Sequence, residues 1–197
     1  MPRAVICGVA RTPIGKFRGS LSNLSAVQLG IRAVKELLNR CDIDASSGII
    51  DEVLFGQVLQ AGAGQAPARQ VALGAGLPNS TAATTINKVC GSSLKAAMMA
   101  ANSIKAGEYK AIVAGGMESM TNAPKFEKRN GEDKEMVSTM VHDGLWDVYN
   151  DVHMGNTGEI VANECNISRE KMDAFAARSQ NKAAQAEANG WFAWERF

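Results

Sequence analysis

The sequence predicts an α/β fold in which a mixed, mostly parallel sheet is covered by helices. Short apolar or β-branched runs of strand length alternate with longer segments that have helical spacing. The first run, residues 4–10 (AVICGVA), is apolar throughout, which is typical of a strand buried on both faces. Hydrophobic residues make up 46% of the 197 residues, enough for a sizeable core. Because strands that alternate with helices are usually parallel, we expect one sheet with helices on both faces.

The first predicted helix covers residues 24–38. Its apolar side chains recur at helical spacing, and Ser22 or Asn23 is the expected N-cap. The following elements are predicted as a strand over 51–58, a helix over 65–74, a strand over 84–87, a helix over 92–106 and a strand over 110–114.

The pattern changes after Gly115 and Gly116. Residues 121–143 are rich in charge, and we predict an exposed insertion with little sheet structure. Two helices are expected next, over 155–165 and 168–189. Ser168 is the N-cap of the second, whose apolar positions form a stripe that needs covering.

Composition excludes several function classes. A net charge of +1 argues against electrostatic binding to nucleic acid or to a membrane surface. No apolar run reaches membrane length, and His142 and His153 do not have the spacing of a metal motif. The four cysteines are far apart, which favours free thiols in a reducing compartment. We therefore expect a cytoplasmic protein without a metal site.

Cys90 is the candidate catalytic residue. It follows the predicted strand over 84–87 and precedes a helix that starts at Ser92. The first turn of a helix carries unpaired N–H groups and the positive end of the helix dipole, which favours a thiolate. In parallel sheets, ligands gather at the carboxyl ends of the strands, where Cys90 is predicted to lie. Such a thiolate can attack a carbonyl and hold an acyl group, although most cysteines are simply small buried residues.

Several strings, taken together and in order, resemble the thiolase family, and within it the biosynthetic acetyl-CoA acetyltransferases. They are residues 10–17 (ARTPIGKF), 58–62 (VLQAG), 65–70 (QAPARQ), 85–96 around Cys90, 114–120 (AGGMESM) and 153–157 (HMGNT) followed by Glu159.

The resemblance implies a thiolase-type fold, with residues 1–119 as the N-terminal α/β core half and 120–197 as part of a loop domain. It implies that Cys90 is the nucleophile and that Leu145, His153 and Met154 line the substrate pocket. The substrates would be coenzyme A thioesters, acetyl-CoA and acetoacetyl-CoA, with no separate cofactor.

The family also uses a second cysteine in a glycine-rich motif, a Gly-His-Pro motif and an Asn-Glu-Ala motif, none of which occurs here. The chain is therefore expected to be an N-terminal half that cannot turn over alone. Trp191, Phe192, Trp194 and Phe197, crowded at the end, support this expectation. The resemblance further implies a homo-oligomer. A dimer is favoured over a tetramer, since the charged segment 125–135 is short.

Two alternatives stay open at this point. The chain could be another condensing enzyme of the superfamily, such as a ketoacyl synthase, although those typically lack the element around His153. It could also be a non-catalytic half that serves as an assembly module.

Overall fold

The computed structural model describes residues 3–128 and 134–197. Its main sheet contains three parallel strands, β1 (Glu52–Gly56), β2 (Ala82–Ile86) and β3 (Ile112–Gly116), in the spatial order β2-β1-β3. In the register, Gly56 lies between Ile86 and Gly116, so the three strands end together.

Three helices cover this sheet on its two faces. Alternate side chains of β1 point to opposite faces. Val53 and Phe55 pack in a large apolar cluster with α1 (Ala26–Arg40) and α2 (Pro67–Gly74), whereas Leu54 packs in a second cluster with α3 (Ser92–Ala106). The predicted α/β class is confirmed, because helices cover a parallel sheet from both sides.

The α1 helix starts at a capping box rather than at the predicted cap. Ser25 Oγ accepts a hydrogen bond from the Gln28 N–H, and Gln28 Oε1 accepts one from the Ser25 N–H. The prediction of Ser22 or Asn23 was wrong, since a capping box needs a Glu or Gln three residues after the cap. Only Ser25 has such a partner, in Gln28.

The predicted strand over residues 4–10 was also wrong. Among the residues that the structure describes, this segment pairs with no strand, and its Val5 and Ile6 side chains are 67% and 87% exposed. It runs along the end of α1, where a Cβ on Gly8 would meet Leu37 at 3.2 Å. A cavity of about 510 Å³ is lined both by Ala10 and Arg11 at the end of this segment and by β3. The segment therefore has the apolar character of a strand without lying beside one.

The predicted insertion over residues 121–143 contains more sheet than expected. Strands β4 (Lys125–Lys128) and β5 (Glu135–Ser138) pair antiparallel, with Phe126 opposite Val137. The expectation of a sheet-poor segment was wrong because the charged residues concealed a short two-residue alternation. Residues 129–133 of the predicted insertion lie outside the described residues.

A π-helix (Met140–Leu145) follows, and then a second small ladder formed by β6 (Trp146–Asp147) and β7 (Val152–His153). Two helices complete the described chain, α4 (Met154–Glu164) and α5 (Arg169–Ala188), the latter capped by Ser168 as predicted. The apolar stripe expected on α5 is largely uncovered, with Phe175 64% exposed.

Candidate functional site

Cys90 lies in a tight turn between the end of β2 and the start of α3, at the predicted edge of the sheet. Asn87 Oδ1 accepts a hydrogen bond of 2.9 Å from the Val89 N–H. Ser92 Oγ accepts one of 2.9 Å from the Lys88 N–H and donates one of 2.6 Å to the Val89 carbonyl. The Cys90 side chain is exposed.

The residue before the cysteine has a strained backbone. Val89 has φ of 47°, in the left-handed region that a β-branched residue rarely adopts. Such conformations cost about 1–3 kcal/mol and persist only where the surroundings fix them. The side chains of Asn87 and Ser92 supply that support, so the turn holds the direction in which Cys90 is presented.

Two glycines allow the start of α3 to approach the strand ends closely. A Cβ on Gly56 would lie 2.6 Å from Ser92 Cβ and 2.8 Å from the Ser93 nitrogen. A Cβ on Gly116 would collide with the Ser93 side chain. Only glycine fits at both positions, and the N-terminal turn of α3 therefore rests directly on the carboxyl ends of β1 and β3.

Glu118 is a polar residue near this edge that the sequence alone did not single out. Its carboxylate accepts hydrogen bonds from the Val58 N–H at 2.9 Å and from the Leu59 N–H at 3.3 Å. Burial raises the pKa of Glu118, and the bonds from Val58 and Leu59 oppose part of that effect. The available signal was the string 114–120, in which a lone acid lies shortly after an apolar strand.

The other predicted site residues lie in the region that follows β5. Leu145 is the last residue of the π-helix, and His153 pairs with Trp146, with ring centroids 6.5 Å apart in an edge-to-face arrangement. His153 Nδ1 accepts a hydrogen bond of 3.0 Å from the Gly155 N–H and so caps α4. Met154 is the first residue of α4 and is 41% exposed. The small β6/β7 ladder thus brings these three residues into one neighbourhood.

One contact connects this neighbourhood to the edge of the main sheet. A Cβ on Gly144 would lie 3.3 Å from Leu59 Cδ2, so the π-helix passes beside the segment that Glu118 binds. Within the described ranges, no hydrogen bond or ion pair joins Cys90 directly to Leu145, His153 or Met154.

The arrangement around Cys90 is suited to acyl transfer. The thiol is exposed beside the first turn of a helix, whose N–H groups and dipole favour negative charge. In the part of the chain that the structure describes, the Cys90 backbone N–H has no acceptor within the protein. An N–H in that position can donate to an oxyanion that forms next to the sulfur.

No helix in residues 3–128 or 134–197 combines the length and apolar character needed to span a bilayer.

Comparison with known proteins gives a consistent picture. Residues 4–195 match the family model described as thiolase, N-terminal domain. Acetyl-CoA acetyltransferase 2 of Arabidopsis thaliana is 50% identical over 200 residues, covering 98% of this chain and 49% of the relative. The acetyl-CoA acetyltransferase of Cupriavidus necator is 51% identical over 197 residues, covering 98% and 50%.

A solved structure shows the same fold. The crystal structure of Acat5 thiolase from Ascaris suum in complex with coenzyme A superposes with a TM-score of 0.90 at 38% identity, covering 97% of this chain and 50% of that one. The chain spans about half the length of the curated relatives it matches.

Proposed function

Because the chain belongs to the thiolase family, we propose that it is the nucleophile-bearing half of an acyltransferase that forms or cleaves 3-ketoacyl-CoA. The observation that carries this proposal is the placement of Cys90. An exposed thiol, on a turn fixed by Asn87 and Ser92, lies at the start of a helix and at the carboxyl edge of a parallel sheet.

The first step transfers an acetyl group to the sulfur. The Cys90 thiolate attacks the carbonyl carbon of acetyl-CoA and forms a new carbon–sulfur bond. The bond between that carbon and the coenzyme A sulfur breaks, and coenzyme A leaves as a thiolate that takes up a proton. The Cys90 backbone N–H donates to the oxyanion in between, as in an oxyanion hole.

The second step passes the acetyl group from Cys90 to the α-carbon of another acetyl-CoA and gives acetoacetyl-CoA. It needs a base for the α-proton and donors for the enolate oxygen. Within this chain we assign no residue to either role, because neither His is followed by Pro and Cys7, Cys41 and Cys165 are not in glycine-rich motifs. We therefore propose that a companion C-terminal half supplies these groups and that this chain does not turn over alone.

Leu145, His153 and Met154 are proposed to line the pantetheine and acyl pocket. Support comes from the β6/β7 ladder, which contains His153 and is flanked by Leu145 and Met154, and from the contact of that region with Leu59. Residues 1–119 would then form the core half and 120–197 part of a loop domain. A cytoplasmic dimer, with coenzyme A thioesters as substrates and no further cofactor, completes the proposal.

Exposed apolar surface supports the need for a companion half. Strand β3 has a free edge in the described sheet, facing the 510 Å³ cavity. Ile14, Phe175 and Trp194 are 91%, 64% and 64% exposed. Large apolar side chains and a sheet edge that are left open to solvent are features that a partner can cover. The same observation favours a second candidate function, in which the chain is a non-catalytic assembly module.

Mass spectrometry separates the two functions. The purified chain is incubated with acetyl-CoA, and its mass is compared with that of Cys90→Ser treated identically. An acetyl adduct that Cys90→Ser lacks supports the acyltransferase. A wild-type chain without any adduct contradicts it and favours the assembly module. Thiolysis of acetoacetyl-CoA by the chain alone would contradict the need for a companion half.

A further inference from the structure

A chain of hydrogen bonds connects Glu118 with the turn that carries Cys90. The carboxylate accepts the N–H groups of Val58 and Leu59, which lie two and three residues after the end of β1. The Val58 carbonyl accepts a longer bond of 3.4 Å from Asn87 Nδ2. The other end of the Asn87 amide, Oδ1, accepts the Val89 N–H. The Asn87 side chain therefore connects the Val58 carbonyl to Val89, the strained residue next to Cys90.

Neighbouring bonds make the Val58 segment a rigid support. The Gln57 N–H donates to the Ile86 carbonyl at 3.0 Å and so continues the ladder between β1 and β2. Gln57 is 2% exposed, and its Nε2 donates to the Leu59 carbonyl at 2.9 Å. Gln60 Nε2 donates to the Gln57 carbonyl at 2.9 Å. The Val58 and Leu59 N–H groups, in contrast, donate to the Glu118 carboxylate.

A half-buried carboxylate is costly to place in a protein unless it is used as an acceptor. Glu118 lies two residues after β3, on the far side of β1 from Asn87. Its bonds cross the end of the central strand and connect the ends of all three strands at the nucleophile edge. Among the hydrogen bonds of the described residues, none joins Glu118 to Cys90, so the connection between them runs through Val58 and Asn87.

We propose that Glu118 is a positioning residue for the nucleophile: through Val58 and Asn87 it keeps Val89 in its left-handed conformation and Cys90 at the start of α3. This rests on the proposed function only in assigning Cys90 as the nucleophile. The structural coupling is testable independently of any reaction with coenzyme A thioesters.

The test is a double-mutant cycle read out by the alkylation rate of Cys90 with iodoacetamide, measured by peptide mass spectrometry. Glu118→Ala and Asn87→Ala should each slow alkylation by roughly two- to fivefold, the size of the interaction between a helix N-terminus and an anionic group. The double variant should be no slower than the slower single variant, because both substitutions break one chain of contacts. Exposed Cys165 in the same samples is the internal standard and should react at an unchanged rate.

Glu52→Gln is the matched control. Glu52 is a buried acid at the opposite end of β1, and its Oε1 accepts a hydrogen bond of 3.0 Å from Thr84 Oγ1 on β2. The Glu52→Gln substitution perturbs the contact between β1 and β2 at their opposite end, and it should leave the alkylation rate of Cys90 unchanged. Glu118→Gln keeps one carbonyl oxygen as an acceptor and should give an intermediate rate. If Glu118→Ala does not fold, Glu118→Gln replaces it in the double-mutant cycle.

Two results would overturn the proposal. One is a Cys90 rate in the Glu118 variants equal to that of wild type. The other is a double variant whose slowing equals the product of the two single effects, because the residues would then act independently. A chain that shows the coupling yet forms no acetyl adduct would retain the positioning role of Glu118 and lose only the proposed function.

Discussion

The Gly56→Ala substitution places a methyl group where the first turn of α3 crosses β1. The new Cβ would lie 2.6 Å from Ser92 Cβ, 2.8 Å from the Ser92 carbonyl carbon and 2.8 Å from the Ser93 nitrogen. Favourable carbon contacts lie at about 3.5–4.0 Å, so the helix start must move away by about 1 Å. Two of the three atoms are backbone, and a rotamer change therefore cannot relieve the overlap.

The expected cost is that of overpacking a close-packed interior, about 1–3 kcal/mol. For a chain of this size, 1 kcal/mol corresponds to about 2–4 °C in the melting temperature, so we expect a drop of about 2–12 °C. The same movement displaces the turn that ends at Ser92, and the alkylation rate of Cys90 should change in parallel. Thermal unfolding by circular dichroism and alkylation by iodoacetamide measure the two effects.

Gly158→Ala is the matched control for this prediction. Gly158 lies inside α4, and a Cβ there meets nothing within 4 Å. Alanine should stabilise that helix by about 0.5–1 kcal/mol, because glycine loses more backbone freedom on folding. A Gly56→Ala chain with the melting temperature and Cys90 reactivity of wild type would refute the close packing of α3 on the strand ends.

Three further predictions concern the rest of the fold. Ser25→Ala removes the capping box of α1 and should lower stability by about 1 kcal/mol in urea unfolding; an unchanged midpoint would argue against the cap. Hydrogen bonds from the Ala111 and Lys110 N–H groups lower the pKa of Asp51 in the folded chain. The Asp51 carboxylate therefore stabilises the fold at pH values above the ordinary carboxyl pKa, and this stabilisation is lost as the pH falls through the lowered pKa of the folded chain. Asp51→Asn should thus be less stable than wild type at pH 7, with a difference that narrows below about pH 4; a difference independent of pH would contradict this. Amide protons of residues 4–10 should exchange faster than those of β1, because the segment lacks strand pairing, and equal protection would contradict the unpaired state.

The sheet and its helices were predictable because their signals are local. Alternation of apolar runs with helical spacing gave β1, β2, β3 and the helices between them, with bounds that differ from the structure by a few residues. Ser168 as the N-cap of α5 follows from side-chain chemistry within one turn. The same reasoning placed Cys90 between a strand and a helix start, which is where the structure has it.

The features that the sequence mispredicted or did not reveal depend on contacts with residues distant in the sequence. Residues 4–10 are apolar enough for a strand, but a strand also needs a neighbour to pair with, and composition does not show which neighbour is present. The pairing of β4 with β5 was missed because the charged residues concealed a short two-residue alternation, and the sequence does not show which segment lies opposite it. Glu118 was missed for a related reason: the N–H groups that it accepts, those of Val58 and Leu59, are near it only once β1 and β3 are aligned.

We propose that the fold makes Cys90 the acyl acceptor of this chain. The direct measurement is peptide mapping of the acetyl group after brief treatment with acetyl-CoA, for the folded chain and for the chain in urea. We predict that the folded chain carries the label on Cys90 and that unfolding abolishes this selectivity. Label spread over Cys7, Cys41 and Cys165 in the folded chain, or equal labelling of Cys90 in both states, would contradict the account.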